Sequence, residues 1–289
     1  MDHMSFYEKP PINSSYLIIA FCGWPDAAES ATGAVKYLID TLSAKKCGEI
    51  DPEEFYDFMQ TRPQVNFTDG SRQILWTANE LFYVAPLKES SGLLLLTGIE
   101  PSLRWKTFAR TIVNIAIGNG IENVLALGSL LDAVPHSRPV RLTGSATVNE
   151  VELSLKDVGV NQSNYQGPTS IGSAIMEACK ANSIAYSSIW GHVPHYLQIT
   201  PNYKVTYALL ETITRLIDLP LTIEKFRTLV QSFDTRVEKA ISSDKRIKEY
   251  VSKLEDQYDS KQPDSIPVRD SEDIVRDLEK FLNEQPGKD

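Results

Sequence analysis

The chain has 289 residues, 42% of them hydrophobic and 23% charged, a balance that excludes a disordered or collagen-like polymer and lets about three quarters of the extended chain's surface be buried. Its net charge of −9 repels nucleic-acid phosphates and anionic lipid surfaces, and no basic stripe offsets it, so neither nucleic acid nor a membrane is an expected partner. Three scattered cysteines without a CxxC pair, no basic leader and no apolar run approaching a membrane span predict reduced thiols in a cytoplasmic protein.

Short apolar runs alternate with amphipathic stretches from residue 16 onward. Residues 16–23 (YLIIAFCG), 92–98 (GLLLLTG), 123–128 (NVLALG) and 184–191 (IAYSSIWG) read as strands. Three of the four are continuously apolar, as strands buried on both faces of a parallel sheet are. Residues 72–77 and 80–85, on either side of Ala78-Asn79, read as a hairpin or edge pair. Helices are predicted over 27–42 behind Asp26 as N-cap, over 102–117 between Pro101-Ser102 and Gly118-Asn119-Gly120, over 169–181 and over 203–217. Strand alternating with helix implies an α/β sandwich with right-handed crossovers.

The first 218 residues carry 16 Lys+Arg and 22 Asp+Glu, and the last 71 carry 13 and 16, so the charge density more than doubles past Asp218-Leu219-Pro220. This predicts a core over 1–218 and a charged helical extension over 219–289. In the extension Ile223, Phe226, Val230, Phe233, Val237, Ala240, Asp244, Ile247, Val251, Leu254 and Tyr258 alternate at spacings of three and four. The seam fits either a coiled coil or a helix pair packed on the core and broken near Ser242-Ser243. Residues 261–270, with Pro263 and Pro267, read as a linker, and Ser271 as the cap of a short helix to Leu282.

Polar signatures follow each predicted buried strand: Gly23-Trp24-Pro25-Asp26, Gly98-Ile99-Glu100-Pro101, Gly128-Ser129 through Asp132, His136 and Arg138, and Gly191-His192-Val193-Pro194-His195-Tyr196. In a parallel sheet the carboxyl ends of the strands lie along one rim, so these loops would converge on one crevice. Glu100 or His136 suits proton transfer there, and Arg62 and Arg138 suit an anion. Trp24, Asp26, Arg104, His195 and Tyr196 complete the candidate set. Each also has a plain structural role open to it: Asp26 as a helix cap, Glu100 as a partner of Arg104 or of a helix start, His136 and Arg138 as hydrogen-bond donors to loop carbonyls. Thr169 and Ser170 open a helix whose free N–H groups form a candidate anion site. His192-x-x-His195 has no adjacent carboxylate or thiolate to complete a zinc site. Neither a nucleophile elbow nor a Walker A loop is present, and no metal or cofactor is expected.

The ordered set Gly23-Trp24-Pro25-Asp26-Ala27, Asp57-Phe58 with Arg62-Pro63, Gly98-Ile99-Glu100-Pro101 with Arg104-Trp105, Pro135-His136-Ser137-Arg138-Pro139, Tyr165-Gln166-Gly167-Pro168-Thr169 and Val193-Pro194-His195-Tyr196 resembles the prokaryotic branch of the proteasome assembly chaperone family. The resemblance spans roughly residues 15–217. It implies a three-layer α/β/α core similar to the phosphorylase/hydrolase class, with self-association into rings or small oligomers. The chain's ending, Gln285-Pro286-Gly287-Lys288-Asp289, departs from the hydrophobic-Tyr-X tail by which several relatives dock on the proteasome. Two functions are therefore expected in competition. One is a non-enzymatic homo-oligomeric chaperone or scaffold that meets a protein partner through the helical extension. The other is a small-ligand binder or hydrolase/phosphorylase-like enzyme using the strand-end crevice.

Overall fold

A computed structural model of the chain describes residues 3–10, 14–68, 70–86, 92–197, 199–242 and 244–260. Its elements, in chain order, are β1 (Met4–Phe6), β2 (Ser14–Cys22), α1 (Ser30–Thr41), β3 (Lys45–Ile50), β4 (Gln64–Thr68), β5 (Ser71–Leu75), β6 (Asn79–Val84), β7 (Gly92–Ile99), α2 (Trp105–Gly118) and β8 (Asn123–Asp132). They continue with β9 (Leu142–Ala146), α3 (Asn149–Asp157), β10 (Asn161–Gln162), α4 (Ile171–Ala181), β11 (Ala185–Pro194), α5 (Tyr203–Leu216), α6 (Glu224–Ser242) and α7 (Lys245–Ser260). The predicted linker and short helix beyond residue 260 lie outside the described residues.

Nine strands form one mixed sheet in the order β1-β3-β6-β7-β2-β8-β11-β9-β10. The four runs of apolar residues become its centre, β7-β2-β8-β11, with each neighbouring pair parallel. Alternate side chains point to opposite faces. Leu17, Ile19, Phe21, Leu94 and Leu96 pack against α2 and α4, while Ile18, Ala20, Leu93 and Leu95 pack against α1 and α5. Both faces are covered, which is why these strands carry no polar alternation. The result is the three-layer α/β/α arrangement expected from the sequence.

One pairing differs from expectation. Residues 71–75 do not pair with 79–84. They turn back at Gly70, whose φ of +77° suits a residue without Cβ, and pair with β4 in a separate two-stranded ribbon. Segment 79–84 instead lies between β3 and β7 in the main sheet. Polarity alternation marks a strand but not its partner, and β3, whose KKCGEI sequence reads weakly as a strand, supplied the neighbour. Helix starts also move. The predicted helix at 102 begins at Trp105, after Arg104 in a left-handed conformation. The predicted helix at 27 begins at Ser30, after Ala28 and Glu29 with φ of 52° and 49°.

The extension forms a helix pair packed on the core. Asp244 accepts the Arg246 N–H at 2.8 Å and stands at the break between α6 and α7. Seam residues Phe233, Val237, Ala240, Ile247, Val251 and Leu254 are buried in a cluster with Tyr196 and Leu197 of the core. No helix among the described residues is long and apolar enough to cross a membrane.

The closeness of β6 to β7 gives a test. A Cβ on Gly98 would lie 2.6 Å from the Ala78 carbonyl oxygen, a backbone atom that moves only if the strands part. Gly98→Ala is expected to cost about 1–3 kcal/mol, the usual range for overpacking, read from the denaturant midpoint.

Candidate functional site

The carboxyl ends of β7, β2, β8 and β11 stand side by side, with Ile99 beside Cys22 and Asp132 beside Pro194. The loops that follow form one continuous rim, as expected, but its two halves have different fates.

On the β8–β11 half, Asp132 receives His192 Nδ1 at 2.6 Å, the Arg141 guanidinium at 3.3 Å and the Ala133 N–H at 2.7 Å. Burial alone would raise its pKa, but the bonds from His192 and Ala133 and the charge of Arg141 outweigh that and hold the carboxyl below the usual range. His192 Nε2 lies 2.9 Å from the Thr143 hydroxyl. His195 spans the Asp132 carbonyl, at 3.0 Å, and the Tyr250 hydroxyl of α7, at 2.7 Å. The fully buried Tyr196 hydroxyl accepts the His136 N–H and meets His136 Nδ1, both at 2.8 Å. An oxygen already accepting that N–H donates its own proton to Nδ1, which leaves the proton of His136 on Nε2, facing Glu238 of α6 at 3.2 Å. Burial lowers the His136 pKa, and the nearby Glu238 carboxylate offsets this only in part.

Arg138 grips Asp259 of α7, at 2.6 and 2.9 Å, and Glu255 at 3.3 Å. Ser137 also bonds Glu255, the Tyr258 hydroxyl donates to the Pro139 carbonyl, and Lys204 pairs with Asp234 of α6 at 3.5 Å. Four candidates, His136, Arg138, His195 and Tyr196, thus hold α6 and α7 in place over this half of the rim.

The β7–β2 half is open. Asp26 is buried, and its carboxylate accepts the Ala31 N–H at 2.7 Å, the Thr32 N–H at 3.3 Å and the Ser129 hydroxyl at 3.2 Å. It therefore caps α1 across the left-handed turn and ties β2 to β8. Burial raises its pKa against the pull of these bonds. Glu100 accepts the Ile171 N–H at 2.8 Å, so a carboxylate of the chain itself sits at the α4 N-terminus where an anion was expected. Burial raises the Glu100 pKa too. Ser170 accepts the Gly172 N–H, and Thr169 bonds Ser173. Arg104 pairs with Glu54, and Arg62 is exposed. Trp24 is 59% exposed and Leu103 49%.

Asp132, His192 and Thr143 form the chemically best ordered group, and sequence reasoning missed it as a unit. Asp132 and His192 each stood in a post-strand motif, but Thr143 lies on a strand with no predicted role. Among the described residues, no three His, Cys, Asp or Glu side chains are grouped to hold a metal ion.

The PAC2 family model matches residues 20–241. This chain belongs to the PAC2 family. It is similar to the crystal structure of a PAC2 family protein from Streptomyces avermitilis, at 32% identity over 82% of this chain and 99% of that one, with a TM-score of 0.76. It is also similar to a proteasome-assembly chaperone homologue from Mycobacterium tuberculosis, at 30% identity, the same coverages and a TM-score of 0.74. An archaeal proteasome activator from Pyrococcus furiosus shares the fold at 18% identity, over 83% of this chain and 99% of that one, with a TM-score of 0.64. No curated protein matches the chain. The PAC2 match ends at the last turn of α6, so α7, which supplies Tyr250, Glu255 and Asp259, lies beyond the family model.

The closed half gives two expectations. Tyr196→Phe strands two buried partners on His136 and should cost about 1–3 kcal/mol, measured by chemical denaturation. Because His136 is held neutral by burial, the unfolded chain takes up its proton first as pH falls. The contribution of neutral His136 is therefore present above the ordinary histidine pKa, near 6.5, and fades below it. The midpoint should drop between pH 7.5 and 5.5, and His136→Gln should flatten that drop.

Proposed function

We propose that this PAC2 protein is a non-enzymatic, homo-oligomeric chaperone or scaffold of the cytoplasm, with a core of residues 1–218 and a helical extension of 219–289 that serves protein contacts. The observation that carries this reading is the division of the rim. Of the side chains suited to acid–base or anion chemistry, His136, Arg138, His195, Asp26 and Glu100 are spent on internal bonds to α6, α7, α1 and α4. What faces outward on the open half is apolar and aromatic: Trp24 and Leu103, with Met59 and Trp76 close by through the Leu103 N–H to Phe55 carbonyl bond and the Phe58–Trp76 ring contact. Large exposed apolar groups gathered in one region mark protein-binding surfaces rather than small-molecule pockets. The likeness to a proteasome-assembly chaperone homologue supports a protein as the partner.

A second reading, hydrolysis, is favoured by the Asp132–His192–Thr143 chain, which has the order of carboxylate, imidazole and hydroxyl used to activate a nucleophile.

Sedimentation of the full chain together with affinity capture on the tagged protein tests the first reading. Assemblies above the monomer that retain a stoichiometric protein, lost on Trp24→Asp, are expected. A strict monomer that captures nothing removes it. Turnover of an ester or nucleoside panel abolished by Thr143→Val and His192→Ala would replace it with the second.

A further inference from the structure

The closed half of the rim is a groove with a helix lying in it. Tyr196 and Leu197 of the core and the Phe233, Val237, Ala240 and Ile241 face of α6 form the groove. One face of α7 fills it: Ile247, Val251 and Leu254 are buried in the same cluster, with Tyr250 beside them. That is the i, i+4, i+7 spacing of a helix laid in an apolar groove. The opposite face, with Lys245, Lys248, Glu249, Ser252 and Lys253, is exposed. Polar contacts set the register. His195 Nδ1 lies on the Asp132 carbonyl, which can only accept, so Nδ1 carries the proton and Nε2 accepts the Tyr250 hydroxyl at 2.7 Å. Toward the end of α7, Arg138 holds Glu255 and Asp259, one turn apart, and Arg141 lies 5.4 Å from the Tyr258 ring. Every residue named here that builds the groove falls within the PAC2 match, which ends at residue 241, whereas the helix that fills it lies past that end.

We propose that this groove is a docking site for an amphipathic acidic helix of a partner protein, and that α7 is its intramolecular occupant, displaced when the partner binds. The chemistry of the partner helix is written in α7. It has apolar residues at i, i+4 and i+7 (Ile247, Val251, Leu254), a phenol at i+3 (Tyr250) and carboxylates at i+8 and i+12 (Glu255, Asp259). The apolar positions fill the space over Tyr196 and Leu197, and the phenol meets the free lone pair of His195 Nε2. The two carboxylates meet Arg138, so an acidic helix fits and a basic one is repelled. A helix tethered beside its own groove competes at an effective concentration on the order of millimolar. A partner helix therefore enters when it binds more tightly than α7 does, or when the grip on α7 is loosened. The Arg138 ion pairs, 32% exposed on the arginine side and 53% on Asp259, are the part of that grip that salt screens.

The inference rests on the protein-contact reading above and gives it a second surface. Its test is a fluorescently labelled peptide of residues 244–260, titrated into the full chain and followed by anisotropy. Leu254→Asp, which removes a fully buried contact of α7, should bind the peptide roughly tenfold or more tightly than the wild type, because the tethered competitor is weakened. Asp259→Arg, at an exposed position, should shift affinity in the same direction without touching the apolar cluster. Circular dichroism and a cooperative melt check the folding of both variants. Arg138→Ala added to Leu254→Asp should weaken the peptide roughly tenfold, through loss of the cation that faces its carboxylates. A peptide bound equally by the wild type and both variants, or by none of them, overturns the groove, while a partner captured through Trp24 leaves the scaffold reading standing. Wild-type assemblies that fall to monomers on Leu254→Asp place α7 in a second copy and also overturn the proposal.

Discussion

Parallel pairing of β7, β2, β8 and β11 is the constraint from which the remaining features follow. Parallel strands must all end at the same side, and their connections must cross over through helices on the two faces. Continuous leucine and isoleucine runs are the chemical condition for this, because both faces are then covered and any polar side chain along the strands would be desolvated. Polar residues are pushed to the strand ends. Asp26, Glu100, Asp132 and His192 gather at the rim because it is the one place on the central strands where their charges and hydrogen bonds can be satisfied.

How those groups are satisfied divides the rim. Asp26 and Glu100 meet helix N-terminal N–H groups, where a carboxylate is favoured by both hydrogen bonding and the helix dipole. His136, Arg138 and His195 meet side chains of α6 and α7. Those ion pairs are partly exposed and individually worth little. The extension is held down chiefly by the apolar cluster of Phe233, Val237, Ile247, Val251 and Leu254 on Tyr196 and Leu197, and the polar contacts fix its register on the rim. Among the described residues, the large apolar side chains left in water include those of the open half of the rim and of the β4–β5 ribbon.

Runs such as GLLLLTG and NVLALG declare buried parallel strands by composition, since burial on both faces is written in local residue types. The loops after those strands could likewise be named as candidates, because strand ends of a parallel sheet share a rim by topology. The partners of those loops could not. Arg138 and Asp259 are 121 residues apart, and nothing in either segment specifies the other until the chain is folded. The same distance problem hid Thr143 beside His192 and turned the expected 72–77/80–85 hairpin into a ribbon with residues 64–68. The sequence by itself determined the four central strands, the helices that cover them and the layers they make, because periodicity and burial are properties of neighbouring residues. Only the tertiary structure decided which half of the rim is closed, which carboxylate occupies which helix end, and which strand meets which, because those are choices among distant groups of equal chemical suitability.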